Sequence, residues 1–156
     1  MDNEIIEEEG SGFTTMVTIA HLGEEDKYGE KEDFKINKEI KDHLNQLKNS
    51  IVKEPDFGIR DIFIRDYECD VYWETYDFTE CEEEIKKLLD ELLKLNEDVS
   101  IKVKSWDDNN WECFGGFGSK KGYRCEYCEF SSDEEWEADK DMMVSDMVEE
   151  TMRYYD

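Results

Sequence analysis

The chain has 156 residues, and 44 Asp and Glu against 19 Lys and Arg leave it at a formal charge of −25. Such a charge excludes nucleic acid and anionic lipid surfaces as direct partners and favours a basic protein surface. Four Trp, eight Tyr and eight Phe, with a single Pro, also exclude a solvating tail, because acidic chains that stay unfolded are poor in aromatics.

At this length one domain is expected. Residues 1–12 (MDNEIIEEEGSG) read as a flexible acidic arm and 13–156 as a single α+β domain. The start is acidic where a signal peptide is basic, and no apolar run approaches the ~20 residues of a membrane span. Five cysteines, an odd number, point to reduced thiols, so a cytoplasmic location is expected.

Phe13 to Leu22 (FTTMVTIAHL) is β-branched and apolar between glycines and predicts a first strand. An acidic loop follows to about Asp33. Ile36, Ile40, Leu44, Leu47 and Ile51 then recur at helical spacing, and Pro55 is the expected stop. From Ile59 to about Tyr76 the chemistry predicts one strand, in which Tyr67, Cys69, Val71 and Trp73 form a buried face and Asp66, Glu68 and Asp70 an acidic one.

Thr79 with Glu82 is a capping box ahead of Ile85, Leu88, Leu89, Leu92 and Leu95, a second helix. Strands at 99–106, 111–117 and 122–130 make a meander, joined by the turn Asp107-Asp108-Asn109-Asn110 and by the glycine-rich stretch 115–122. Ser132 with Glu135 opens a terminal helix, roughly 133–153, whose apolar stripe is Trp136, Met143, Val144, Met147 and Val148. The order β-α-β-α-β-β-β-α predicts an α+β fold, a mainly antiparallel sheet with helices packed on one face; a ferredoxin-like core with additions is one version of it.

The acidity lies in blocks. Residues 66–84 carry nine acids and no base, and residues 129–156 carry eleven acids and two bases. Alternate strand residues stand about 6.6–6.8 Å apart, twice the ~3.4 Å axial spacing of phosphates on one DNA strand, so Asp66, Glu68 and Asp70 can copy a short phosphate run. Acids four apart on a helix, such as Glu135/Asp139 and Glu137/Asp141, repeat at about 6 Å. One such stripe is usually a solvated face; two blocks on separate elements make a binding surface the stronger reading. The candidate partner-binding residues are therefore Asp66, Glu68, Asp70, Trp73, Glu74 and Tyr76 on the first block, and Asp133, Glu134, Glu135, Trp136, Glu137, Asp139 and Asp141 on the second. Trp73, Tyr76, Trp136 and Tyr154 are the aromatics expected to be exposed for docking.

No catalytic or cofactor motif stands out. Cys125 and Cys128, with Cys113 upstream, give three thiolates and no local fourth ligand, and on a strand positions 125 and 128 point to opposite faces, so no metal site is expected. Gly115-Gly116-Phe117-Gly118-Ser119-Lys120-Lys121 lacks the layout of a phosphate-binding loop and reads as a hairpin tip. Asp107 to Asn110 lacks the layout of a calcium loop.

In size, composition and the acid blocks 66–84 and 129–156, the chain resembles the acidic DNA-mimic inhibitors of phages and mobile elements, of anti-CRISPR or anti-restriction type. Through Trp111-Glu112-Cys113-Phe114-Gly115-Gly116 it also resembles, more faintly, Api92-like ferredoxin-like domains. The first resemblance implies a non-enzymatic inhibitor that blocks the nucleic-acid channel of a host defence nuclease, such as a CRISPR effector or restriction enzyme. The alternative is an acidic immunity protein or chaperone that neutralises a basic toxin or nucleic-acid-binding protein. A homodimer is compatible with either.

Overall fold

Phe13, Thr15, Val17 and Ile19 are all buried, and the strand that carries them, β1 (Phe13–His21), lies in the middle of the sheet. The computed structural model describes residues 12–21, 35–51 and 58–155. The predicted arm before Gly12, the acidic loop and Pro55 lie outside the described residues.

Helix α1 (Lys38–Asn49) is capped by Asn37, whose side-chain oxygen accepts from the backbone N–H of Ile40, and it buries Ile40 and Leu44. It ends well before Pro55, where Ser50 donates its N–H to the Leu47 carbonyl at 3.1 Å.

The single strand expected over 59–76 is a hairpin: β2 (Gly58–Ile64) and β3 (Cys69–Thr75) pair antiparallel, with a bulge between Ile59 and Asp61. No Gly, Pro or Asn marks the turn at 65–68; charge pairs hold it instead. Arg65 bonds Asp70 at 2.6 Å, Lys41 on α1 bonds Asp66 at 2.8 Å, and the N–H of Ile36 donates to the Asp66 carbonyl at 2.7 Å. Tyr67, expected on the buried face, is in this turn and exposed.

Helix α2 (Phe78–Leu95) has its cap two residues before the expected Thr79, with Asp77 accepting from the N–H of Glu80 at 3.0 Å. Its stripe Ile85, Leu88, Leu89 and Leu92 is buried as expected. Strands β4 (Val99–Asp107), β5 (Glu112–Ser119) and β6 (Gly122–Glu129) complete the sheet, and α3 (Asp133–Tyr154) closes the fold, with Ser132 accepting from the N–H of Glu135 at 3.2 Å. The turn before β5 is built by Asp107, 2 % exposed, whose carboxylate accepts from the N–H groups of Asn109 and Asn110.

The strand order is β2-β3-β1-β4-β5-β6, every neighbour antiparallel. This is an α+β fold. Its first six elements, β-α-β-β-α-β in the sheet order β2-β3-β1-β4, form the ferredoxin-like arrangement; the β5–β6 hairpin and α3 are additions on the β4 side.

The helices do not share one face, as the sequence reading had them. A Cβ on Gly115 would lie 2.8 Å from the Met147 Cβ of α3, whereas one on Gly118 would lie 2.7 Å from Leu89 of α2. Positions three apart in a strand point to opposite sides, so α2 lies on one face and α3 on the other. The glycines expected at a hairpin tip are thus strand residues that let both helices approach, and the turn itself is Lys120-Lys121. Two apolar clusters follow: a large one from β1, α1, β3, α2 and β4, and a smaller one of Cys113, Trp136, Val144 and Met147 under α3.

Candidate partner-binding surface

The strand parity of the first acid block is as expected, with Cys69, Val71 and Trp73 buried and Glu74 exposed. The block nevertheless does not form a free acid stripe. Asp66 and Glu68 are in the turn, not on the strand. Asp70 is 7 % exposed and accepts from Thr18 Oγ1 at 2.9 Å as well as from Arg65. Glu74 pairs with Arg60 at 3.3 Å. Lys41 beside Asp66 holds that carboxyl below the usual carboxylate range, and the Asp70 carboxylate raises the pKa of the Arg65 guanidinium. Further along, Glu84 accepts from Trp73 Nε1 at 2.7 Å and Glu82 from the Tyr123 hydroxyl at 2.9 Å. Much of this acidity serves the fold, through Lys41, Arg60 and Arg65 and the polar hydrogens of Trp73 and Tyr123.

Two of the aromatics expected to dock are core residues. Trp73 is 1 % exposed and Trp136 is fully buried. Trp136 donates its indole N–H to Asp108 at 2.7 Å, and Lys140 stands over its ring while bonding the same carboxylate at 3.1 Å. Each indole has an apolar ring on an inward strand or helix position and a single N–H that one carboxylate satisfies, which is why burial wins. Tyr76 and Tyr154 are exposed as expected, and Met142, not anticipated, is 60 % exposed.

The second block is different. On α3, Asp133, Glu134, Glu135, Glu137 and Asp141 are exposed and Asp139 is half-buried. Among the described residues none of these six forms an ion pair. Glu135 receives a hydrogen bond from Ser131 at 3.1 Å, near the helix N-terminus where its charge also meets the favourable end of the helix dipole. Asp146, Glu149 and Glu150 extend the exposed acid row to the C-terminal half, where Arg153 lies 3.5 Å from Glu149. The two structural acid blocks therefore separate: one is largely paired, the other faces solvent.

The thiols are placed for packing. Cys113 and Cys128 stand directly opposite each other on β5 and β6, while Cys125 is on the other face, against the large cluster. Burial pushes the thiols of Cys81, Cys113 and Cys125 up to about 12, with Cys128 adding to the effect at Cys113, so none of the three is poised as a nucleophile. Among the described residues no three His, Cys, Asp or Glu side chains converge to hold a metal, and no helix is long and apolar enough to cross a membrane.

No protein-family model matches the chain, and no curated protein or solved structure matches it either.

Proposed function

We propose that this protein is a non-enzymatic inhibitor that presents the outer face of α3 to the basic nucleic-acid channel of another protein and competes with nucleic acid there, the expected target being a defence nuclease. The observation that carries the reading is the contrast between the blocks: Asp66, Glu74 and Asp70 are taken up by Lys41, Arg60 and Arg65, whereas Glu134, Glu137 and Asp141 on α3 face solvent without an ion pair among the described residues. Unpaired like charges along one helix cost self-repulsion in the free protein, and a basic cleft relieves it. Glu137 and Asp141, four apart on α3, stand about 6 Å apart along the axis, near twice the ~3.4 Å axial phosphate spacing of one DNA strand. Exposed charge of this kind speeds encounter and makes it salt-dependent, while Met142, next to Asp141 in the chain, supplies apolar contact.

The test is capture from host lysate on immobilised protein, followed by elution with duplex DNA. The expected result is release of a nucleic-acid-binding protein by DNA, and its loss from a Glu134→Lys, Glu137→Lys, Asp141→Lys variant that melts as the parent does. Capture unaffected by DNA and by the triple reversal would overturn the proposal, as would retardation of labelled DNA by the pure protein.

A further inference from the structure

Of the sheet's two edges, β2 is bulged between Ile59 and Asp61, whereas β6 pairs with β5 in unbroken register from Glu112↔Glu129 to Ser119↔Gly122. Bulges blunt an edge against pairing, and a flat, regular edge invites it. Among the described residues no strand lies beyond β6. The N–H of Phe130 donates to the Trp111 carbonyl at 2.8 Å, which fixes the parity of the ladder. Cys128, Glu126 and Arg124 are in hydrogen-bonded pairs with β5, and the N–H and C=O groups of Tyr123, Cys125 and Tyr127 point out of the sheet.

Beside that edge, between β6 and α3, runs a groove of about 430 Å³. Cys128, Met143 and Met147 give it an apolar, adaptable lining, and Glu126, Asp146 and Glu150 add charge. A strand added to β6 would send every second side chain to the face that α3 covers. We propose that the β6 edge captures an extended basic segment of the partner by strand addition, its α3-side residues entering the groove. The backbone of Tyr123 to Tyr127 supplies the hydrogen bonds, the methionines accommodate the apolar stems of lysine or arginine, and the carboxylates meet their charged ends. Charge complementarity selects a basic occupant: among the described residues Arg153 is the one cation lining the groove, and Glu149 pairs with it. The proposal rests on the reading of the protein as a ligand of a basic partner, but it places the contact on a sheet edge in addition to a helix face.

The probe is a synthetic ten-residue peptide of alternating Lys and Val, compared with a copy N-methylated at alternate backbone nitrogens, each titrated into the full chain at low salt while the backbone amides are followed by NMR. Expected are shifts at Tyr123 to Glu129 and at Met143 and Met147, and binding at least ~10-fold weaker for the methylated copy. Tyr127→Pro removes an outward N–H and leaves the ladder bonds to β5, a place where an edge strand tolerates proline; with a melting temperature near the parent's, it should weaken the parent peptide to a similar extent. Equal binding of both peptides, with shifts confined to Glu134, Glu137 and Asp141, would overturn strand addition and leave the electrostatic reading of α3 standing. Absence of binding by either peptide would overturn both.

Discussion

Arg65 and Asp70, on either side of the β2–β3 turn, approach to 2.6 Å, and the second oxygen of the same carboxylate accepts from Thr18 on β1 at 2.9 Å. One side chain thereby ties the turn, β3 and the central strand together.

Replacement of Asp70 by Ala should lower the thermal midpoint clearly, since it removes a buried carboxylate and leaves the half-buried Thr18 hydroxyl without its acceptor, the exposed Arg65 being free to meet water. Asp66→Ala, which removes an exposed pair with Lys41, should change it little. Melting curves of the two variants at low and high salt check this. Equal midpoints for D70A and the parent would show that the hairpin is held by its ladder alone.

Gly115 lets α3 come close to the sheet. A methyl group there would lie 2.6 Å from the Val144 carbonyl oxygen and 2.8 Å from the Met147 Cβ, both on a helix that cannot shift one atom at a time. Gly115→Ala should cost about 1–3 kcal/mol, the usual range for overpacking. Urea denaturation measures the loss. Unchanged stability would mean that α3 rides away from the sheet without penalty, which the buried Trp136 and Val144 argue against.

His21 gives the protein a pH-dependent contribution. Its Nε2 accepts from the backbone N–H of Asn37, the cap of α1, at 3.2 Å. Burial lowers its pKa from the ordinary 6.5, with Asp98 opposing. The unfolded chain therefore holds the proton more tightly, and between the lowered folded pKa and 6.5 stability rises with pH. The contribution is complete above 6.5 and is lost as pH falls through that window. His21→Gln keeps an acceptor and cannot titrate, so the parent should lose more stability than H21Q between about pH 7.5 and about pH 5.5. Parallel slopes for the two proteins would remove His21 as the cause, because the many carboxylates are common to both.

What the sequence shows and hides has a physical pattern. The stripes of α2 and α3 and the cap Ser132 were legible because helical period and capping chemistry are local. The β2–β3 hairpin was hidden because its turn has no Gly, Pro or Asn; Arg65 in the turn, Lys41 on α1 and the Ile36 N–H close it. Lys41 from α1 and Arg65 from the turn itself neutralise Asp66 and Asp70, so much of the first candidate block disappears on folding. The periodicity puts Trp73 and Trp136 inward, and there they are; their second reading, as docking aromatics, fails because Glu84 and Asp108 accept from their indole N–H groups and let both be buried. The position of α3 follows from Gly115 and Gly118, whose meaning depends on strand parity and not on the turn propensity of glycine.

The thiols carry the last prediction. Three cysteines within sixteen positions invite zinc, but β6 sends Cys125 to the face of α2 and Cys128 to the face of α3, where Cys113 is its cross-strand neighbour. Two thiols on one face and one on the other cannot enclose a tetrahedral ion, and the burial that pushes Cys113 and Cys125 up to about 12 disfavours the thiolates that zinc requires. Elemental analysis of the purified full chain should find no stoichiometric zinc, and a chelator should leave the melting temperature unchanged. Cys125→Ser should likewise alter no metal content. One equivalent of zinc that resists dialysis, with loss of fold on chelation, would mean that β6 is remodelled when metal is present and that Cys113, Cys125 and Cys128 meet in a way this sheet does not allow.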